Sequence, residues 1–232
     1  MTSDLALEPG MEFEMSMSLK SQFGHPHGTL GKIIGWVMAV ENRRRNEWVV
    51  RQLPLRNGSR VLEIGFGPGV ALQSLENRLG EGEIVGVDPS SVMVGQATRR
   101  NAAAIRKGRI RLVYGTVEKL SAEDGLFDVV YSVNALGRHV DLKKSLEHIH
   151  KLIRPGGSLA IAHQSPSKQT EEEQRSFRRF IHKAMVLAGF CDVQILQQET
   201  KTQPICMVMG RRAAETSVID AASGQVLEAA NR

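Results

Sequence analysis

With 232 residues, 41% hydrophobic and 24% charged, the chain has the composition of one globular domain of ordinary size, which excludes a fibrous or fully disordered protein. It contains no apolar run of about 18 residues, so we expect no transmembrane helix. The net charge of +5 permits a nucleic-acid or anionic-membrane partner without requiring one, because the basic residues are scattered over several predicted helices.

The first residues of the chain and its cysteine content indicate the cellular compartment in which the protein is expected. Met1 to Glu14 is mostly polar and acidic and lacks the basic-then-apolar pattern of a signal peptide. Cys191 and Cys206 are too few for a disulfide framework. We therefore expect a cytoplasmic protein in which both cysteines pack in the core.

The N-terminal part divides into a flexible tail, residues 1–20, and a loop followed by a helix, residues 21–54. The loop is rich in turn-forming residues and carries His25 and His27. The helix repeats apolar residues at helical spacing and must bury that stripe against something. We predict that segment 21–54 packs over the ligand-facing edge of a sheet as a lid.

Two asparagines, Asn42 and Asn46, fall on or beside the apolar stripe of this predicted helix. A buried amide needs hydrogen-bond partners. The two side chains either bond to neighbouring backbone or line the ligand pocket, and both interpretations stay open.

The stretch 60–69 carries the strongest signal in the chain. A short apolar strand, residues 60–64, breaks into a loop with Gly65, Gly67 and Gly69, and a helical pattern follows at once. Glycine lets the backbone turn sharply and lets a ligand lie against bare main chain. The following helix then presents free N–H groups, which is the nucleotide-site geometry of a doubly wound α/β sheet.

The spacing of these glycines separates two kinds of nucleotide site. A dinucleotide site has glycine at the first, third and sixth positions, but here Val70 occupies the sixth. This disfavours a nicotinamide dehydrogenase. Glu63 precedes the glycines, and Asp88 ends the next predicted strand, 84–87, where an acidic residue can accept both ribose hydroxyls.

The remaining elements complete an α/β pattern. They comprise strands at 110–113, 127–134, 158–162, 193–196 and 205–209, and helices at 70–79, 90–101, 142–153 and 170–188, with a stop and turn at 154–157. We predict a Rossmann-like doubly wound sheet of seven strands, mostly parallel with an antiparallel last strand, and helices on both faces. The core domain is expected at 55–211, and 212–232 is a C-terminal tail, either a short helix or disordered.

Four motifs resemble those of the class I S-adenosylmethionine-dependent methyltransferases of small-molecule type. They are Val61–Gly69, Gly86–Ser90, Phe127–Asn134 and Arg154–Ala162. The resemblance covers about residues 55–211. It implies S-adenosyl-L-methionine as cofactor and methyl transfer as activity.

The resemblance also implies residue roles. Glu63 and the glycine-loop amides would hold the amino-acid end of the cofactor, and Asp88 would bind the ribose. The family usually has an acidic residue beside the adenine where this chain has Thr116, so the Thr116 hydroxyl or the Val117 N–H would substitute. The full predicted cofactor set is Glu63, Gly65, Phe66, Gly67, Gly69, Asp88, Pro89, Met93 packing on adenine, Thr116, Val117, and Asn134 and Ala135 beside the methionine part.

Methyl transfer needs alignment of the reactants and a pocket without water more than it needs a catalytic triad. A general base helps with some acceptors, and a few histidines are candidates for that role. His139 follows the fourth strand, and His25 and His27 lie in the N-terminal loop. His163 follows the fifth strand and is predicted, with Asn42 and Asn46, to line the acceptor pocket. A structural or solvent-facing role is favoured over catalysis for each histidine. No metal site is predicted.

Several functions remain open at this point. A small-molecule methyltransferase, monomeric or homodimeric, leads. An RNA methyltransferase is the alternative suggested by the basic charge, although Ser132–Ala135 lacks the Asn/Asp-Pro-Pro-aromatic motif and we expect no nucleic acid. A third possibility is a non-catalytic protein that only binds S-adenosylmethionine.

Overall fold

The computed structural model describes residues 43–136, 141–164, 169–200 and 204–214, and the backbone of 218–219 and 226–227. Four predicted site residues, His25, His27, Asn42 and His139, lie outside the described residues. So do the predicted tail 1–20 and all of the predicted lid before residue 43.

The described chain builds one large sheet. Its strands are β1 (Arg60–Ile64), β2 (Glu83–Asp88), β3 (Ile110–Tyr114), β4 (Phe127–Val133), β5 (Ile153–His163), β6 (Phe190–Gln198) and β7 (Ile205–Arg212). The strand order is β3-β2-β1-β4-β5-β7-β6. Strands β1 to β5 are parallel, and β7 runs antiparallel between β5 and β6. The predicted seven-stranded doubly wound sheet is therefore confirmed, including its antiparallel last strand.

Helices cover both faces of the sheet. They are α1 (Arg43–Gln52), α2 (Val70–Leu79), α3 (Ser91–Arg100), α4 (Ala102–Arg106), α5 (Leu142–Leu152) and α6 (Glu171–Leu187), with 3-10 turns at Val117–Lys119 and Ala122–Asp124. Residues of α1, α2 and α3 pack with Val61 and Tyr131 on one face. Residues of α5 and α6 pack with Leu62 and Val130 on the other. Successive residues of a strand thus pack into the hydrophobic cores on opposite faces of the sheet, because side chains along a strand alternate between its two faces.

Local capping chemistry sets the helix boundaries. The Ser90 hydroxyl accepts a hydrogen bond from the Met93 amide at the start of α3. Thr170 and Glu173 form a reciprocal capping box at the start of α6, where the acidic first turn also suits the helix dipole. Gly189, at φ 92°, follows the end of α6 in a backbone region that favours glycine.

Several local predictions are wrong. Residues 154–157 do not end one element and turn into the next: they belong to β5, which is irregular where it passes β4. Phe180 continues the apolar helical period of the segment predicted as a helix at 170–188, which predicts a buried side chain, yet it is 58% exposed. Cys191 is exposed, whereas Cys206 is buried as predicted. Val218–Ile219 and Val226–Leu227 pair as two short antiparallel strands, where a helix or disorder was expected.

Candidate functional site

The glycine turn after β1 sits at the carboxyl edge of the sheet, between β1 and α2. Gly65, Gly67 and Gly69 have φ values of 75°, 53° and 75°, a region that side chains disfavour. A Cβ on Gly65 would overlap the Ala135 side chain, and one on Gly69 would lie 2.6 Å from Asn101 Nδ2. A Cβ on Gly67 would meet nothing within 4 Å. Gly65 and Gly69 are thus required by the fold, whereas Gly67 leaves open space above the loop.

Helix α2 begins directly at this turn. Gly69 is its N-cap and provides no side-chain cap. The first-turn amides of α2 therefore remain available to a ligand at the end where the helix dipole is positive. A carboxylate is a suitable group for that position.

Asp88, at the end of β2, is the acidic residue beside the turn. Its side chain is buried, and its Oδ2 accepts a hydrogen bond of 2.8 Å from the Gly67 amide. Its Oδ1 accepts one of 2.9 Å from the Ser90 amide. Asp88 thus fixes the glycine turn from the end of the neighbouring strand.

Glu63, two residues before the first glycine, is the second acidic residue of the site. It is only 2% exposed, and its Oε2 has no hydrogen-bond partner among the described residues. The pKa of this carboxyl is raised to about 8: burial is the largest cause, the Tyr131 hydroxyl opposes the rise, and the nearby Asp88 adds to it. At neutral pH the empty protein therefore holds Glu63 mainly in its protonated form.

Tyr131 lies beside Glu63, because the two are register partners on the neighbouring strands β1 and β4. Its hydroxyl is buried and, within the described part of the chain, forms no hydrogen bond of normal geometry, although it is near enough to act on the Glu63 carboxyl. Burial and Glu63 together raise the Tyr131 pKa well above its usual value. Tyr131 was not among the predicted site residues; the register of β1 against β4 is the signal that identifies it.

Asn134 and Ala135 follow β4 at the same edge. Asn134 has φ 58°, an uncommon value for a residue with a side chain. Its amide exchanges two hydrogen bonds with the Gln164 backbone, accepting at 2.8 Å and donating at 3.0 Å. The side chain thus ties the end of β4 to the end of β5, which leaves its backbone and Ala135 as the groups that border the ligand space.

The other predicted cofactor residues differ in accessibility. The Phe66 side chain is buried and packs where Gly86 leaves room, so its backbone alone can face a ligand. Met93 and Val117 are also buried. Pro89 and Thr116 are exposed. Beyond the ends of β2 and β3, the predicted cofactor residues thus comprise two exposed side chains, Pro89 and Thr116, and two buried apolar ones, Met93 and Val117.

Of the predicted acceptor-pocket residues, Asn46 and His163 are described. Asn46 is buried on α1, whose neighbouring residues pack in the same core as Tyr131. The His163 ring stacks on Phe177, with ring centroids 4.4 Å apart. His163 therefore has a contact within the fold, and its place in the acceptor pocket stays a prediction.

Arg100, the last residue of α3, and Asn101, which follows it, hold the glycine turn in place. Neither was predicted as a site residue. Asn101 Nδ2 donates to the Gly69 carbonyl and to the Ala97 carbonyl, both at 3.0 Å. Arg100 donates to the Pro68 carbonyl. Nothing in the local sequence marks the two contacts with the glycine turn, since each joins residues 32 positions apart along the chain.

Comparison with known proteins identifies relatives that cover 60% and 74% of this chain. The model of a methyltransferase-domain family matches residues 61–157. The chain is 32% identical over 172 residues to an uncharacterized methyltransferase, YdaC, of Bacillus subtilis, spanning 74% of this chain and 93% of that protein. It is 28% identical over 138 residues to a trans-aconitate 2-methyltransferase of Variovorax paradoxus, spanning 60% of this chain and 50% of that protein.

Among solved structures, one similar fold is that of a phosphoethanolamine N-methyltransferase from Haemonchus contortus, in complex with phosphomonomethylethanolamine and S-adenosylhomocysteine. The TM-score is 0.59 at 17% identity, over 73% of this chain and 52% of that one. This likeness supports the fold. Within the described residues, no helix is long and apolar enough to cross a bilayer.

Proposed function

The chain belongs to the class I S-adenosylmethionine-dependent methyltransferases, and we propose that it transfers a methyl group from that cofactor to a small-molecule acceptor by in-line displacement. One observation carries the proposal. The glycine turn leaves open space at Gly67 while its amide is held by Asp88, in a chain related along most of its length to a methyltransferase.

The residues at this edge suit the chemical groups of the cofactor. The open space at Gly67 accommodates a ligand against bare backbone, and the α2 amides suit its carboxylate. The buried Glu63 Oε2, which has no hydrogen-bond partner among the described residues, suits its ammonium group, and the Asp88 carboxylate beside the turn suits the ribose hydroxyls. When bound, the cofactor supplies a methyl group already activated by its sulfonium.

The protein's own contribution is then orientation and the exclusion of water. Gly65 against Ala135, and Asn134 bonded to the Gln164 backbone, fix the strand ends that would border the reacting methyl group. Rigid placement of the reactants accounts for a large share of the barrier reduction in such a displacement. A catalytic triad is not needed for this displacement.

Two considerations support a small molecule as acceptor. The relative from Variovorax paradoxus is named for a small organic acid. The segment Ser132–Ala135 lacks the Asn/Asp-Pro-Pro-aromatic motif of enzymes that methylate base amino groups. Within this proposal, Asn42, Asn46 and His163 line the acceptor pocket, segment 21–54 closes it, and His139, His25 or His27 would act as a base where the acceptor needs one.

The test combines binding with turnover. Thermal shift is measured with S-adenosylhomocysteine and with NAD, because a ligand of the native state raises the melting temperature. We expect a shift with the first and none with the second. Labelled S-adenosylmethionine is then incubated with metabolite extract and, separately, with total RNA. Label in small molecules supports the proposal, label in RNA overturns the acceptor class, and binding without label in either points to a non-catalytic binder.

A further inference from the structure

The loop that follows β3 is tied to helix α5 by a histidine. His148 Nε2 lies 3.2 Å from the Val117 carbonyl oxygen and 2.9 Å from the Leu120 carbonyl oxygen. Carbonyl oxygens only accept hydrogen bonds, so this nitrogen carries a proton and donates to both. One side chain of α5 therefore spans the 3-10 turn at Val117–Lys119 from its first residue to the residue after it.

A second side chain on the same face of α5 adds to this attachment. Ser145 precedes His148 by three residues, so the two lie side by side on the helix. The buried Ser145 hydroxyl donates a 3.0 Å hydrogen bond to Glu118 Oε1, within the same turn. The side chains of Val117 and Leu120 are buried in the core that α5 also lines. The turn is thus fixed by polar and apolar contacts with one helix.

The other side of the loop is tied to the sheet edge that carries the glycine turn. The Gly115 amide donates a 3.0 Å hydrogen bond to the Asp88 carbonyl oxygen. The Asp88 side chain in turn accepts the hydrogen bond from the Gly67 amide. The loop at 115–120 therefore has a fixed position relative to the glycine turn, with α5 holding it from the opposite side.

These contacts distinguish between the two groups that the sequence left open as substitutes for the usual acidic residue. The Thr116 side chain is exposed and does not cap the turn. Val117 is only 1% exposed, and its carbonyl is held by His148. The main chain at Val117 is thus the rigid part of the loop, whereas the Thr116 hydroxyl is free to rotate.

We propose that His148 is a positioning residue: it fixes the backbone of the turn, so that main-chain groups of fixed direction, and not a side chain, select the base of the cofactor. This rests on the proposed function. Ser145 supports the same placement through Glu118. His148 acts through the turn and not by contact with the cofactor.

Recognition by main-chain groups makes such a site selective. An amide N–H only donates and a carbonyl only accepts, whereas a threonine hydroxyl does either. The pairing edge of adenine accepts at N1 and donates from its amino group. Hypoxanthine, the deaminated base, has both directions reversed. A rigid turn should therefore reject hypoxanthine, because polar groups of the site would be left without partners.

The experiment measures, by calorimetry, the affinities of S-adenosylhomocysteine and of S-inosylhomocysteine, which differ only in this edge of the base. We expect the wild-type protein to bind the adenine compound at least about tenfold more tightly, the scale of one hydrogen bond. His148→Ala should weaken S-adenosylhomocysteine binding by about tenfold and S-inosylhomocysteine binding little, so that the affinity ratio falls towards one. His148→Gln, whose amide still donates, should keep most of the ratio.

His150 provides the matched control on the same helix. It lies two residues beyond His148 and faces away from the turn, packing edge-on against Phe190 with ring centroids 5.0 Å apart. His150→Ala should leave the affinity ratio at the wild-type value, even where it lowers the melting temperature. Thr116→Val removes the competing hydroxyl and should also leave the ratio unchanged.

Each result supports or overturns one step. If S-adenosylhomocysteine does not bind the wild-type protein, the proposed function fails. If it binds but the two compounds bind equally, or if Thr116→Val abolishes the difference, the function stands and main-chain selection is wrong. If His148→Ala keeps the wild-type ratio, or His150→Ala lowers it as much, His148 is not the positioning residue.

Ser145→Ala keeps the test decisive where His148→Ala does not fold. It removes only the bond to Glu118 and should lower the affinity ratio by roughly threefold. An unchanged ratio in a folded Ser145→Ala protein would contradict the placement of the turn by α5.

Discussion

The Gly67 amide donates a 2.8 Å hydrogen bond to Asp88 Oδ2, so the residue predicted to bind the ribose also holds the glycine turn. One carboxylate therefore links the end of β2 to the loop that follows β1. Loss of the Asp88 carboxylate would change the shape of the glycine turn and would also remove a direct contact with a ligand.

We predict that Asp88→Ala weakens S-adenosylhomocysteine binding by about 1.5–3 kcal/mol, because a charge-assisted bond to the ribose is lost. Asp88→Asn is the matched control: its single amide oxygen can keep one of the two backbone bonds, so its affinity should fall between the other two proteins. Calorimetry measures both. Unchanged affinity in Asp88→Ala would show that the ribose assignment is wrong.

The sequence predicted those features that local chemistry determines. The helix predicted at 170–188 and the strand-turn-helix at 60–79 each depend on residues close together in the chain. The seven-stranded doubly wound sheet with an antiparallel last strand was also predicted, together with the family resemblance. These are the parts of the fold that propensity and periodicity describe well.

The remaining features depend on contacts between distant segments. Tyr131 opposite Glu63 requires the register of β1 against β4, and the overlap of a Gly65 side chain with Ala135 requires the packing of two loops. Phe180 continues the apolar period of α6, but it is exposed because that side of the helix meets no described element that buries it. Periodicity alone cannot show where a core ends.

Two substitutions in the glycine turn should differ in their effects: one should mainly weaken ligand binding, and the other should mainly reduce stability. Gly67→Ala should fold with a loss of roughly 1–2 kcal/mol, since its only penalty is a positive φ, but its Cβ enters the ligand space and should weaken S-adenosylhomocysteine binding. Gly65→Ala should lose more stability, because it adds an overlap with Ala135 to the same backbone penalty.

Denaturant unfolding and calorimetry on both variants separate stability from binding. The bulkier Gly67→Val should be inactive in methyl transfer. A fully active Gly67→Val enzyme, or a Gly65→Ala protein as stable as wild type, would contradict this account of the turn.

Asn134 combines an unfavourable backbone conformation with two useful hydrogen bonds. Asn134→Ala loses both bonds to Gln164 and keeps the strained φ of 58°, so we expect a loss of about 2–3 kcal/mol in unfolding free energy. Asn134→Gly loses the bonds but removes the strain, and should be about 1 kcal/mol more stable than the alanine variant. Chemical denaturation measures the difference; an alanine variant more stable than the glycine variant would refute the role of backbone strain.

Glu63 should make the stability of the empty protein depend on pH. Its pKa is about 8 in the folded state, against an ordinary value of 4.5, because burial disfavours the charged form. Between these two values the folded protein holds a proton that the unfolded chain has released. Unfolding free energy from this group is therefore full below about pH 4.5, falls as pH rises, and levels off above about pH 8.

We predict that Glu63→Gln, which cannot ionise, lacks this decline. Relative to wild type, the variant should gain stability as pH rises from 5 to 8, by an amount on the order of 2–4 kcal/mol, since both proteins share every other titrating group. Denaturant unfolding of the two ligand-free proteins at pH 5, 6, 7 and 8 gives the difference directly. A constant difference across this range would mean that Glu63 is ionised in the folded protein throughout, with an unseen partner for its charge, and its assignment as a buried neutral acid would be wrong.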